Sequence, residues 1–527
     1  MNRWLNRANK RVSLGNAAAL LVGATLIGQV LGFLRTQIVN ANFPAYGPQS
    51  TDAYFAAFKI PDLFFYTIAA GALGVAFMPF LADKLQSGDK KAVWNLTNSL
   101  LNLLMIFMFI IGIILFVFAE PLIRLIISND MSPEQLHNTT MIMKLLSFDP
   151  LIFSISGILS SLQQTFGRFF FYATAPIVYN GSIIASAYVF RDNIGLIGLG
   201  IGALAGAILQ LLVVILGLVG MKYRYRPIID LKSPDFRRMI RQVPPRSVDQ
   251  GIDSINSIVE TNRARTLGES FISKYENAFI LHMAPILLIG NTIATAAFPR
   301  LNDRLAAGRP DLFRRDFFRV LRVMIWIILP IVVISFFGRG FLARLIYKNN
   351  APEIALIFGF LTAAILFRTV YALISRYFYS HKDTMTPLIV SVFAIALNIY
   401  LAFIWVKTYG VQGLGMAQST VAAVEVAALV AIMKWRERDL FPPFFWSGVI
   451  RTLSVTGFTV MTAYIMVQIF PLEADDRGFI TLGSKLAAIA LPTVAVHIGL
   501  SALFGLEEVK PVFEKAKKLI FKPVRIQ

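Results

Sequence analysis

Four bases, Arg35, Lys59, Arg263 and Arg368, stand inside stretches that are otherwise apolar, as do Asp52, Asp253, Glu260, Asn398 and Glu425. Charge in such a setting costs roughly 2.5–3.5 kcal/mol per residue on membrane-insertion scales, so it gathers where it meets a partner or water. The two classes could do complementary chemistry. A guanidinium offers a planar fork of donors that matches phosphate oxygens, and an ammonium adds a point charge. A carboxylate in a dry cavity has its charged form disfavoured, so it can carry a proton. Cysteine is absent, which removes disulfides, thiolate metal sites and thiol nucleophiles.

Spacing sorts these groups onto faces. Lys59 lies seven residues after Asp52 and three before Asp62, one face of a helix, where it either neutralises those aspartates or meets a bound anion. The stretch RSVDQGIDSINSIVETNRARTL (246–267) places Arg246, Asp249, Asp253, Asn256, Glu260 and Arg263 on one stripe, with Ile252, Ile255, Ile258 and Val259 away from it. Opposite charges three residues apart, Arg246/Asp249 and Glu260/Arg263, would lower the cost of burying the stripe. Arg263 accordingly either pairs with Glu260 or touches a ligand, and Arg246 meets headgroups. Two placements stay open for this helix: lying on a membrane surface, or spanning with its polar stripe toward a wet cavity.

The elements that must position these residues are membrane helices. Of 527 residues 56% are hydrophobic and 15% charged, and runs such as SLLNLLMIFMFIIGIILFVFA (99–119) exceed the roughly 20 apolar residues that cross a bilayer. The expected fold is an all-α polytopic membrane protein. Its spans are 14–40, 50–83, 93–119, 138–165, 168–191, 194–221, 244–268, 276–299, 318–346, 353–380, 384–407, 411–435, 445–470 and 480–505. The basic start followed by an apolar run without a small-residue cleavage site reads as a retained first helix rather than a signal peptide.

Charge distribution tests the count. With the N-terminus inside, inner segments carry Arg3, Arg7, Lys10 and Arg11, then Lys84, Lys90 and Lys91, then seven bases between Lys222 and Arg241, and the tail adds Lys510, Lys515, Lys517, Lys518 and Lys522. Removing 244–268 from the membrane would put Arg300, Arg304, Arg309, Arg314 and Arg315 outside, which favours the crossing. The net charge of +20 thus reflects inner loops facing anionic lipid. No RNA-binding aromatic motif or zinc spacing supports nucleic acid.

The chain also repeats itself. GLGIGALAGAILQLLVVI (198–215) is similar to GLGMAQSTVAAVEVAALVA (413–431), with Gln210 where Glu425 falls, and 53–89 is similar to 278–308. Six spans separate the copies, so both halves face the same way. The expected organisation is a lobe over 1–221, a basic inner loop over 222–241, a second lobe over 242–436, two further helices over 437–505 and a basic tail over 506–527, with a binding site between the lobes.

Five stretches together carry a family resemblance: VLGFLR (30–35), TDAYFAAFKIPDL (51–63), GRFFFYATAPIVYN (167–180), SRYFYSHKDTMTP (375–387) and YGVQGLGMAQS (409–419). In order and over nearly the whole chain they resemble the MurJ/MviN family of lipid II flippases, in the superfamily that includes MATE exporters and polysaccharide flippases. The resemblance implies a bacterial cytoplasmic-membrane protein with both termini inside. Its substrate would be undecaprenyl-diphosphate bearing a glycopeptide, moved from inner to outer leaflet by alternating access. It also implies cavity bases for the diphosphate and a groove for the polyprenyl tail along the last two helices. Arg35 retains the family's first-helix arginine, whereas Gln29, Thr36, Phe65 and Ile280 stand where relatives carry further charges. Arg368, one turn before Ala372, could replace a base that relatives carry there. Asp52, Arg35, Lys59, Arg263 and Arg368 form the candidate substrate set.

Glu260 and Asn398 match family positions of a cation site, while Ala402 and Gln418 replace other oxygen ligands. That loss favours protons, for which Asp253 and Glu425 are further candidates; His282 reads as a packed histidine. No cofactor or resident metal is expected; coupling would be to the membrane potential, H+ or Na+. The partners are the lipid-linked substrate and membrane lipids, and the chain would act as a monomer. The alternatives are an O-unit flippase or a MATE-type cation-coupled exporter. A polyprenyl-phosphate transferase would need an acidic cluster in a sizeable loop, and the loops here are short and basic.

Overall fold

Without water to satisfy backbone groups, an apolar run closes its hydrogen bonds internally as helix. A computed structural model describes residues 14–70, 77–241, 243–347 and 350–510, with helices and no strand among them. The expected inner bases before residue 14 and after Lys510 lie outside the described residues, and so do the side chains of Arg246 and Asp249.

In chain order the helices are α1 (Leu14–Asn42), α2 (Thr51–Phe64), α3 (Met78–Gln86), α4 (Lys90–Val117), α5 (Ala119–Leu122), α6 (Pro133–Leu146), α7 (Asp149–Thr165), α8 (Phe170–Val189), α9 (Ile197–Leu216) and α10 (Pro234–Arg241). They continue as α11 (Val243–Arg265), α12 (Phe271–Pro285), α13 (Thr292–Ala306), α14 (Pro310–Phe337), α15 (Arg339–Ile346), α16 (Ala351–Ser380), α17 (Met385–Tyr409), α18 (Gln412–Arg436), α19 (Pro443–Ile469) and α20 (Phe479–Leu503). Helix stands at every expected span. Among the described residues ten helical stretches are long and apolar enough to cross a membrane: α4, α6–α7, α9, α12–α13, α14, α16, α17, α18, α19 and α20. The protein is an all-α, multi-pass membrane protein. α11 falls outside those ten because its charges offset its isoleucines.

The chain divides into two compact units, Met1–Glu276 and Asn277–Gln527. Packing places α11 in the first unit, whereas the sequence repeat groups it with the second half of the chain. It lies against α2 and the π-helical turn Phe65–Ala70, and the approach is close. A Cβ on Gly251 would come within 2.6 Å of the Thr67 hydroxyl.

The two similar sequence stretches pack alike, each within its own unit. In α9 a Cβ on Gly198 would strike Phe190 at 2.2 Å, and in α18 one on Gly413 would strike the Trp405 backbone at 2.5 Å. The other pair shares a backbone device. Pro61 lies in the last turn of α2 and Pro285 ends α12, and each is followed by a π-helical segment, Phe65–Ala70 and Ile286–Asn291. A proline removes one donor, and wider turns nearby re-pair the carbonyls it frees.

In the second unit α19 and α20 are held to α14 by buried polar contacts. Trp326 donates its indole N–H to the Ser501 hydroxyl at 2.8 Å, while His497 lies 3.0 Å from the Thr459 hydroxyl and 3.2 Å from the Trp326 carbonyl. After α20 the chain folds back, and Glu508 forms a buried ion pair with Arg322.

Candidate functional site

The first unit gathers its charges around α2. Arg35, on α1, is half-buried and shares an electrostatic field with Tyr54, Asp62, Tyr66 and Tyr179. Among the described residues no hydrogen bond or ion pair engages its guanidinium. Lys59 is different: its ammonium donates to the Ser257 hydroxyl of α11 at 2.8 Å and is in close contact with Glu276 of α12. Glu276, not Asp52 or Asp62, is therefore its ion-pair partner.

Asp52 is fully buried at the other end of α2. One oxygen accepts the Ser273 N–H at 2.7 Å and the other lies 3.9 Å from Arg265. Arg265 in turn donates to the Asp130 carbonyl at 2.9 Å. Seven residues separate Asp52 from Lys59, about 10 Å along a helix, enough for each to meet a different neighbour.

Along α11 the expected stripe divides. Asp253 is exposed, whereas Asn256 and Glu260 are buried, with the Asn256 amide donating to Glu260 at 3.1 Å. Arg263 donates to the Asn262 side chain at 3.0 Å, and Asn262 donates to the Ile127 carbonyl at 2.8 Å. Much of the polar face is thus used to seat the helix in its own unit.

In the second unit Arg368 and Glu425, expected in separate roles, form one network. Arg368 donates to Glu425 at 2.8 Å, and Glu425 accepts a second bond from Ser391 at 2.7 Å. Ser391 also lies 3.0 Å from the Tyr371 hydroxyl. Asn398 is buried on α17. His282 is buried, its Nδ1 2.7 Å from the Phe279 carbonyl. Among the described residues no three His, Cys, Asp or Glu side chains cluster as metal ligands. An apolar cavity of about 670 Å³ opens between α14, α16, α17, α18 and α19, lined by Phe336, Phe360, Trp405, Tyr409 and Val460 among others.

The KDTMTP stretch forms a clamp between α17 and α18. Asp383 accepts from the Thr386 N–H at 3.0 Å and its hydroxyl at 2.6 Å, and pairs with Arg436 at 2.6 Å. Burial alone would raise this carboxyl, but the Thr386 bonds and the Arg436 guanidinium hold it at about 2, below the usual 3.8. A folded value below the unfolded one stabilises above pH 3.8, and the contribution is lost as pH falls toward 2. Amide protection at the start of α17, relative to the intrinsic rate at each pH, should therefore fall as the pH drops through that window, and Asp383→Asn should show the low protection at every pH.

Two acids escaped the sequence reading. Glu276 sits where a span was expected to begin, and its pairing with Lys59 crosses more than two hundred positions of chain. Asp149 is the first residue of α7, followed by Pro150; an acid in mid-span was the available signal.

With the geometry in place, known proteins can be set beside this chain. The profile of a family described as "Lipid II flippase MurJ" matches residues 48–479. A probable lipid II flippase MurJ of Bdellovibrio bacteriovorus is 24% identical over 516 residues, covering 94% of this chain and 96% of that protein. A lipid II flippase MurJ of Burkholderia cenocepacia is 23% identical over 452 residues, covering 82% and 86%. Among solved structures, a lipid II flippase MurJ in an inward closed conformation superposes with a TM-score of 0.75 at 21% identity, covering 91% of this chain and 98% of that one. An inward-facing multidrug resistance MATE family transporter gives 0.69 at 17% identity, covering 80% and 98%.

Proposed function

The chain belongs to the lipid II flippase MurJ family, and from that premise we propose that it moves a polyprenyl-diphosphate-linked glycopeptide from the inner to the outer leaflet of the bacterial cytoplasmic membrane. The family is one of transporters. The observation that carries the substrate reading is Arg35. Of the candidate bases, Lys59 and Arg368 are matched by Glu276 and Glu425, and Arg263 is bonded to Asn262. Arg35 keeps its donors available in a half-buried position, which suits a diphosphate that needs charge-assisted bonds.

In this reading Arg35 grips the diphosphate, with Lys59, Arg263 and Arg368 as the further candidate bases, while Asp52 stays sealed against Ser273 and Arg265. The polyprenyl tail lies along the apolar surfaces of α19 and α20. The regions 1–221 and 242–436 rock to alternate access, with both termini cytoplasmic, and Asp253, Glu260, Asn398 and Glu425 couple the motion to cations or protons. The test is complementation of a bacterium conditionally depleted of its own lipid II flippase. Restored outward delivery of lipid II supports the assignment. A well-expressed, correctly inserted chain that fails in several hosts would overturn it in favour of another lipid-linked sugar or an exported cation.

A further inference from the structure

Asp149 begins α7 within the apolar stretch Pro133–Thr165. It is 3% exposed, and neither carboxyl oxygen has a hydrogen-bond partner among the described residues. The position at a helix start suggests capping, yet among the described residues no backbone N–H reaches either oxygen, so a capping role does not hold it there. Aromatic rings crowd the site: Phe148 beside Phe109 at 6.0 Å, and Phe153 against Phe65 at 5.6 Å and Tyr179 at 5.4 Å. An ionised carboxylate with no donor in such surroundings is among the costliest groups a protein can bury.

Its charged surroundings are few. Asp62 of α2 is within electrostatic reach of Asp149, and so are Tyr54 and Tyr179. Lys144, on the preceding helix, is turned onto the Phe116 ring at 5.7 Å. On the other elements packed against α7, Lys84 is paired with Asp235 at 2.6 Å beside Asp83, and α9 carries no charge. Lys90 and Lys91 start α4, roughly 28 Å by helical rise from its Phe109, which meets Phe148. Asp52 is paired with Arg265, and Tyr66, Tyr172 and Tyr188 carry phenols rather than bases. Lys59 is matched by Glu276. Asp62 lies in the fields of both Lys59 and Arg35, whereas the one charged group that acts on Asp149 among the described residues is Asp62, so a proton is what balances Asp149.

We propose that Asp149 is a proton-binding site of the first unit, holding its proton while α2, α7 and α8 are packed as here and releasing it when their separation admits water or Arg35. The link from this proton to substrate movement rests on the transport reading above; the proton site itself does not.

Infrared spectroscopy on the purified full-length chain reads the site directly. At neutral pH the unmutated protein should show the carbonyl band of a buried, protonated carboxylic acid that Asp149→Asn removes. Asp149→Glu should shift that band, which serves if the asparagine variant does not fold. An unchanged band in both variants overturns the proposal. In proteoliposomes loaded with fluorescent lipid II, an imposed proton gradient should speed flipping by the unmutated chain. Asp149→Asn should flip at the rate seen without a gradient, and equal stimulation in that variant also overturns the link. If the unmutated chain flips no lipid II, the transport reading fails while the infrared band still decides the proton site.

Discussion

Replacing Arg35 by alanine should cut lipid II flipping by at least about 30-fold, matching the roughly 2–5 kcal/mol lost when a desolvated charge pair loses one partner. The protein should nevertheless stay folded. No carboxylate is paired with this guanidinium among the described residues, so its removal leaves no orphaned counter-ion, and the melting temperature should move little. Lys59→Ala makes the contrast. It strands Glu276, whose side chain is 14% exposed, and should lower stability along with transport. Arg35→Lys should keep part of the activity, because an ammonium retains the charge but not the bidentate fork. Parallel flipping assays and thermal unfolding of the three variants separate a ligand-holding base from a structural one. An Arg35→Ala protein that flips at the unmutated rate would remove the substrate reading's main support.

The helices were legible in the sequence because hydropathy, proline and glycine positions act locally. Every expected span contains helix, and Gly198 and Gly413, which begin the similar stretches, each sit in close approach within their own unit. Segment 244–268 was legible as a helix with a polar stripe but not in its burial. Asn256 and Glu260 face inward while Ile255 is exposed, because Gly251 lets α11 press against Thr67 and commits one face to its own unit. Pairing was the least legible property. Spacing on one helix linked Lys59 to Asp52 and Asp62, but an ammonium on a flexible stem takes whichever acid the neighbouring helices bring. Here that acid came from α12, and nothing local in the sequence records it.

Arg368 and Glu425 give the largest expected effect on stability. Glu425 is 2% exposed at its side chain and Arg368 26%, so the two truncations are unequal. Arg368→Leu leaves a carboxylate in the interior with the Ser391 hydroxyl as its remaining donor, and should cost about 3–5 kcal/mol. Glu425→Leu leaves a guanidinium that water can reach and should cost less. The double variant Arg368→Leu/Glu425→Leu removes both charges and should regain most of the loss, since a buried ion pair is often no better than a packed apolar one. Denaturant unfolding in detergent across the four proteins gives the coupling energy. The same set decides what Glu425 does in transport. If the pair only fastens α16 to α18, the double variant flips lipid II with an unchanged pH profile. If Glu425 carries a proton, the double variant is as stable as expected yet loses its response to an imposed gradient, as Glu425→Gln does.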